Sequence, residues 1–416
     1  MSVEGFFASR WIERPAHVTE LPEGGLPQGF RAAGAACGIK ESGAPDVALM
    51  VSDARETTSA ARFTRSGVLG APVLLTMERC ALDGIRAVVV NSGNANTATG
   101  GMGLDNAAKM QGSAAIASGV GNENLVAVAS TGVIGVQLPM RDVTRGIATA
   151  ARELAPDGDA AFAEAIQTTD AFEKRTSLAV QLPGGTVRLS AQAKGAGMIS
   201  PGFATLLVFI QTDAVLSAET CDLLLGVTVK RSFERISVDG QLSTSDTVIL
   251  QASGASRVLV APESEDELRF GEALDALLRQ LALLVVRDGE GARRVGRVIV
   301  HGGDLDLAEQ VARAVANSPL VKTALYGGDP NWGRIAQAVG VATAGLAPVP
   351  VDISIEGVQV CARGGLVAFD RDALSAAVAR EEVEYEIGLP GSGAETEVFF
   401  SDLGHEYVTI NADYTT

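Results

Sequence analysis

The stretch of this 416-residue chain richest in chemistry is Ala193–Ala214, AKGAGMISPGFATLLVFIQTDA. A glycine-rich loop holding one cation, Lys194, leads to Pro201 and Gly202, which force an irregular backbone. A small residue, Ala204, then precedes Thr205, and an apolar strand, Leu206–Ile210, follows. As a plain strand start Thr205 needs no function, because β-branched residues favour strands. A threonine at a loop-to-strand junction nonetheless has its hydroxyl near the carbonyl that precedes it. In a strained loop that oxygen can attack the Ala204 carbonyl carbon, moving the acyl group from nitrogen to oxygen. Hydrolysis of the resulting ester splits the chain. Thr205 then carries a free α-amine, whose ordinary pKa of about 7.7–8.0 suits a general base near neutrality. This is the threonine and N-terminal-amine form of an activated nucleophile.

The elements that must position such a residue are legible as periodicities. Val47–Ser52, Ala87–Val90, Leu125–Ala129, Thr205–Ile210 and Arg297–Val300 are short apolar runs bounded by turn residues, and are expected to be strands. In Arg141–Leu154 the residues Val143, Ile147, Ala150, Ala151 and Leu154 share one helical face. Asp266–Val286 repeats the pattern from Phe270 to Val285, and Leu305–Ala316 and Asp372–Ala379 are shorter helices. The acidic patch Glu263–Glu267 reads as a solvated helix start rather than a linker, since acids favour helix N-termini. Strand-like runs alternating with helical patterns imply a mixed α/β fold, and the length suffices for two or three domains.

Composition removes several classes of function. The net charge of −17 argues against nucleic acid or an anionic membrane as the main partner. Cys37, Cys80, Cys221 and Cys361 lie far apart with no CxxC pair, so a disulfide frame or cysteine zinc site is not expected and a reducing cytoplasm is the default. The three histidines, His17, His301 and His405, form no HExxH-type metal site. The first residues lack the pattern of a signal peptide, and no stretch of 18 apolar residues suggests a membrane span.

Nine blocks, in order, resemble the bifunctional ornithine acetyltransferase/N-acetylglutamate synthase family of arginine biosynthesis. They are GFRAAGAACGIK (Gly29–Lys40), VVVNSGNANTATG (Val88–Gly100), ASTGVIG (Ala129–Gly135), TTDAFEK (Thr168–Lys174), the segment around Thr205, VDGQLSTSDTVIL (Val238–Leu250), RDGEGA (Arg287–Ala292), NSPLVKTALYGGDPNWGRI (Asn317–Ile335) and NADYTT (Asn411–Thr416). The resemblance implies cleavage between Ala204 and Thr205 into chains 1–204 and 205–416, associated as a heterotetramer with two copies of each. It implies transfer of acetyl from N2-acetylornithine to glutamate, with no cofactor and with acetyl-CoA left open as a co-substrate. The fold it implies is a four-layer αββα core, N-terminal-nucleophile-like, over 1–290, with a smaller C-terminal α/β lobe over 291–416.

The resemblance also assigns residues. Thr205 becomes the nucleophile, and Thr131 with Gly132 the oxyanion hole; read locally, those two are a strand end closed by a glycine turn. A hydroxyl and a backbone N–H are donors of the right kind for a tetrahedral oxyanion. Lys194, otherwise a solvated loop lysine, enters the substrate site, where a cation meets the α-carboxylate of an amino acid. Thr168, otherwise a capping residue of the turn that includes Asp170, becomes a substrate contact. Glu290, otherwise a surface acid, faces the amine end of the substrate, and Asn411 and Thr416 reach back to the site from an ordered C-terminus. Asn91–Asn96 (NSGNAN) and Asp329–Arg334 (DPNWGR) receive no role, turns alone accounting for their composition.

Other readings stay open. Arg31–Ala36, RAAGAA, fits the loose phosphate-loop pattern of CoA-dependent acetyltransferases but lacks an evident strand-to-helix context. An N-terminal-nucleophile amidohydrolase or aminopeptidase would share the cleavage and the layers and differ in passing the acyl group to water. An acetyltransferase of a specialised pathway, or a binding protein that kept the fold, are further alternatives. Phe203 stands where the family usually has Met, Gln241 and Ser245 replace a commoner Asp and Asn, and Arg293–Arg294 a usual Thr–Lys; these departures bear on substrate preference more than on reaction class.

Overall fold

Alternation along the strand Leu207–Thr212 sets the layers of the molecule, because successive side chains leave opposite faces. Leu207 and Phe209 enter a core shared with Met50, Val88, Val90, Ala127 and Ala129, while Val208 and Ile210 enter another with Leu225, Phe270 and Leu274. The computed structural model describes residues 5–200, 206–346, 348–391 and 393–413. Phe203, Ala204, Thr205 and Thr416 lie outside them.

Two sheets face each other across the first of these cores. One has six strands in the order Val18–Glu20, Lys174–Leu182, Gly185–Lys194, Leu207–Thr212, Thr247–Ala252 and Thr58–Phe63. The other has four: Phe30–Ala35, Val47–Ser52, Ala87–Asn94 and Val126–Val133. Helices cover both outer faces. Ala71–Arg79, Gly100–Ala117 and Met140–Arg152 bury Leu75, Met110, Val143 and Ile147 against the four-stranded sheet. Ala218–Arg231 and Glu265–Arg287 do the same for the six-stranded one. This is the four-layer αββα core expected from the sequence. A third sheet, of seven strands, runs from Ile236–Ser237 through Glu395–Ser401, Val295–His301, Glu382–Gly388, Asp352–Ile355 and Val358–Ala362 to Gly365–Leu366, and has its own apolar core.

Local signals explain the element boundaries. Ser264 caps the helix Glu265–Arg287, its hydroxyl accepting from the Glu267 amide, and three acids occupy the first turn. The acidic patch is therefore a helix start. RAAGAA lies in the strand Phe30–Ala35 and not in a loop before a helix, so it has no phosphate-loop geometry.

Two strands run further than their apolar runs. Ala87–Asn94 takes in Asn91–Asn94, and Val126–Val133 takes in Ser130–Gly132. Asn91 is buried but not in a turn: its amide donates to the Asn94 carbonyl at 2.8 Å and its oxygen accepts from Ser130 Oγ at 2.5 Å. Polar residues continue these strands because their side chains pair with one another inside the sandwich. Lys194, expected in a loop, is the last residue of the strand Gly185–Lys194.

Candidate active site

The strands Val126–Val133 and Gly185–Lys194 end at one pocket of roughly 240 Å³. Thr131, Gly132, Thr168, Lys194, Glu290 and Asn411 all line it, together with Asp239, Gln241, Ser243, Ser245 and Tyr407. Thr205, Ala204 and Thr416, expected at this site, lie outside the described residues. The strand that follows Thr205 is nonetheless fixed in register: Lys194 stands opposite Leu207 on one side and Thr247 beside it on the other.

Thr131 and Gly132 end the strand Val126–Val133 at a bulge, where Asn94 pairs with both Thr131 and Val133. Bulges re-aim side chains and recur beside functional sites. Gly132 has φ +127°, and a Cβ there would overlap the carbonyl carbon of Gly93, so only glycine fits. Thr131 is 3% exposed, and its Oγ1 accepts from Lys194 Nζ at 3.2 Å. A hydroxyl has one proton to donate. With Lys194 supplying a donor, the Thr131 proton is left to point at an acceptor in the pocket.

Lys194 is 2% exposed and also donates to Thr168 Oγ1 at 2.7 Å. Burial lowers its pKa, Asp170 partly opposes that fall and Lys174 adds to it. A buried ammonium held by two neutral hydroxyls favours the arrival of a carboxylate. The turn that presents Thr168 is built by Asp170. Its Oδ2 accepts from the Thr168 amide at 3.0 Å, and its Oδ1 from the Gly195 amide and Lys174 Nζ, each at 2.7 Å. Burial works against the charged Asp170, but the Lys174 and Lys194 ammoniums outweigh it and hold the carboxyl below the usual range. Lys174 also pairs with Asp288 at the end of the long helix. Burial pushes the Asp288 carboxyl up to about 6, against the pull of Lys174.

Also on the pocket lining, Glu290 Oε2 accepts from Asn411 Nδ2 at 2.6 Å. Asn411 belongs to the helix His405–Asp413, which also brings Tyr407, whose hydroxyl lies 3.4 Å from Asp239 Oδ2. Gly291, at φ +72°, allows that helix its approach, because a Cβ there would overlap the Glu406 Cβ. A cation and a carboxylate lining one pocket match a ligand with an acid group and an amine. No group of His, Cys, Asp and Glu that could hold a metal ion occurs among the described residues. Asp170, Asp239, Tyr407 and Asp288 were not singled out from the sequence. Asp170 sits in the TTDAFEK block, Asp239 in the VDGQLSTSDTVIL block and Asp288 in the RDGEGA block, which is the signal that could have found them.

Four layers with a polar pocket at the strand ends define the class of fold and site. A model of the ArgJ family matches residues 31–416, and the chain belongs to that family. The arginine biosynthesis bifunctional protein ArgJ of Symbiobacterium thermophilum is 43% identical over 94% of this chain and 98% of its own length. That of Rhodopirellula baltica is 42% identical over 94% of this chain and 96% of its own. A solved chain of ornithine acetyltransferase complexed with ornithine, from Mycobacterium tuberculosis, is 37% identical, with a TM-score of 0.41, and covers 45% of this chain and 99% of its own.

Proposed function

We propose that this chain is an arginine-biosynthetic acetyltransferase that moves acetyl from N2-acetylornithine to glutamate through an acetyl ester on Thr205, after cleavage between Ala204 and Thr205. One observation carries the reading. Thr131, Gly132, Thr168, Lys194, Glu290 and Asn411, far apart in sequence, line a single pocket beside the strand that begins just after Thr205. The names of the relatives, which place those proteins in arginine biosynthesis, support the pathway.

Cleavage begins when Thr205 Oγ adds to the Ala204 carbonyl carbon. The C–N bond breaks, the nitrogen takes up the proton that Oγ loses and becomes the free α-amine, and water hydrolyses the ester to an Ala204 carboxylate and a free Thr205 hydroxyl. In turnover Thr205 Oγ attacks the acetyl carbonyl while its proton passes to the α-amine. The Thr131 hydroxyl and the Gly132 N–H receive the oxyanion. The C–N bond of the donor then breaks and the departing ornithine amine takes the proton. Glutamate enters, its amine attacks the acetyl ester, and Thr205 Oγ leaves with the proton restored. Lys194 holds the α-carboxylate of each amino acid, with Thr168 beside it, and Glu290, steadied by Asn411, faces the side-chain ammonium of ornithine. Thr416 is proposed to join them. Both donor and product are amides, so no thioester is needed to drive the exchange. Water must be kept from the ester, or the enzyme becomes an amidase.

The strand Leu207–Thr212 pairs antiparallel with Gly185–Lys194, so the proposed chains 1–204 and 205–416 share one sheet. That pairing supports their staying together after cleavage, and we propose a heterotetramer with two of each. We take 1–290 as the catalytic core and 291–416 as the lobe whose last helix closes the pocket. We place the reaction in the cytoplasm; the four cysteines are free thiols, and no helix of the described residues is long and apolar enough to cross a membrane.

The test supplies N-acetylornithine and glutamate without CoA. Ornithine release should equal acetylglutamate formation, with parallel double-reciprocal plots. Ornithine release matched by free acetate and indifferent to glutamate would make the protein a hydrolase instead. The same assay with acetyl-CoA in place of N-acetylornithine decides whether a second donor is used.

A further inference from the structure

The loop between Ile236–Ser237 and Thr247–Ala252 grips the chain on both sides of residues 200–205. Upstream, Asp239 accepts from the Met198 amide at 2.7 Å and the Ile199 amide at 2.9 Å, while the Ile199 carbonyl accepts from the Val238 and Gly240 amides. Downstream, Asp246 Oδ1 accepts from the Leu206 amide at 3.0 Å, and the Leu206 carbonyl accepts from the Thr247 amide at 3.1 Å. The Asp246 side chain is 0% exposed, and its carboxyl lies beside the Ser243 and Thr64 side chains. A fully buried carboxyl is a costly acceptor for one backbone amide, since a hydroxyl or carbonyl would serve.

We propose that Asp246 is the positioning residue for chain cleavage, anchoring the downstream side of the bond through the Leu206 amide while Asp239 anchors the upstream side. This rests on the proposed cleavage between Ala204 and Thr205. The reason is covalent geometry. The peptide unit is planar and contains the Cα of the preceding residue as well as the amide N–H. Holding the Leu206 N–H therefore orients a rigid plane that includes the Cα of Thr205. Attack of Oγ on the Ala204 carbonyl needs reacting atoms about 3–3.5 Å apart and aligned. Among the described residues, the Ile199 amide held by Asp239 is six residues upstream of Thr205, whereas the Leu206 amide held by Asp246 is one residue downstream.

The state of the group fixes which substitution should rescue it. Burial pushes the Asp246 carboxyl well above the usual range, and Ser243, the Leu206 amide, Lys194 and Thr64 pull against that shift without cancelling it. The neutral acid is closely mimicked by an amide, which keeps an acceptor oxygen for Leu206. Asparagine should therefore replace it, and leucine, similar in size with no acceptor, should not.

The experiment follows cleavage of the full chain by denatured mass spectrometry after synthesis, comparing wild type with Asp246→Leu and Asp246→Asn. Circular dichroism and cooperative melting report folding. Asp246→Leu should fold and cleave about 100-fold more slowly, the loss expected from misplacing a reacting group by about 1 Å. Asp246→Asn should cleave within about tenfold of wild type, well short of that loss. Wild-type cleavage in Asp246→Leu, or an Asp246→Asn chain that folds and stays whole, overturns the proposal. Should Asp246→Leu fail to fold, Asp246→Ala is read in its place, and a folded Asp246→Ala chain that cleaves at the wild-type rate overturns the proposal. A wild-type chain that stays whole while active defeats the cleavage reading itself, which separates that failure from this one.

Discussion

Replacing Thr131 by valine removes one hydroxyl and keeps the branched shape of the side chain. Two separable losses follow from the geometry. The first is catalytic: deleting one preorganised oxyanion donor lowers turnover by about 10²–10³-fold, or roughly 2.7–4 kcal/mol. The second is structural. Thr131 is buried, and its Oγ1 is one of two acceptors around Lys194 Nζ, the other being Thr168 at 2.7 Å. Leaving a buried donor with one partner fewer costs about 1–3 kcal/mol. At about 2–4 °C per kcal/mol for domains of this size, melting should fall by several degrees. The assay is steady-state ornithine release from N-acetylornithine with saturating glutamate, normalised to the cleaved fraction measured by mass. The kcat of Thr131→Val should fall by the full factor, and Thr131→Ser, which keeps the hydroxyl, should recover most of it. A Thr131→Val enzyme whose kcat stays within about threefold of wild type, far short of the expected loss, would reduce Thr131 to a strand-end residue that merely steadies Lys194.

The other residues give sharper signatures in combination. Lys194→Met should raise KM for both amino-acid substrates by about 10–150-fold, the equivalent of one charge-assisted hydrogen bond, and equal KM values in the two enzymes would remove Lys194 from the carboxylate site. Glu290→Gln should weaken N-acetylornithine or ornithine more than glutamate, which product-inhibition constants can read; equal effects on both would deny it the amine end. Asp170→Asn breaks a buried pair with Lys174 at 2.7 Å and should cost about 3–5 kcal/mol in urea unfolding. Asp288 has a folded pKa raised to about 6 from an ordinary value of about 3.9, so the folded state binds the extra proton between those values. Its contribution to stability is present below about pH 4 and is lost as pH rises through about 6; Asp288→Asn should flatten that part of the difference between the two unfolding curves, and an unchanged slope would contradict the assignment.

The layers were legible because burial on both faces of a strand leaves a continuous apolar run. Val47–Ser52 kept its bounds, and the run after Thr205 became the strand Leu207–Thr212. The polar ends of the two strands beside it were not legible. Asn and Gly favour turns locally, and only the pairing of neighbouring strands in the sheet shows that Asn91 and Ser130 satisfy each other. The site was less legible still. Thr131, Lys194 and Glu290 have unremarkable local contexts, and a resemblance to a family, rather than spacing, singled them out. Of the carboxylates that hold the backbone, Asp170 reads from the sequence only as part of a turn and Asp239 and Asp246 carry no mark, because acids are ordinarily at the surface. Their burial follows from amides that need acceptors where strands end, which is a property of the assembled sheets. The position expected for Lys194, a solvated loop, reversed for a related reason: its strand continues one residue into the site and buries the side chain against two hydroxyls.

The central claim, a covalent acetyl carrier on a newly made N-terminus, is tested most directly by one mass spectrum. Purified protein is mixed with N-acetylornithine alone, without glutamate or CoA, quenched in acid and measured under denaturing conditions. Fragment 1–204 should keep its mass and fragment 205–416 should be heavier by one acetyl group, about 42 Da, as expected for a covalent acyl intermediate. Tandem fragmentation should place the group on Thr205, and a chase with glutamate should remove it. A whole 42.8 kDa chain that turns over N-acetylornithine, or a cleaved enzyme that releases ornithine and acetylates glutamate with no acetyl on residue 205, would contradict it.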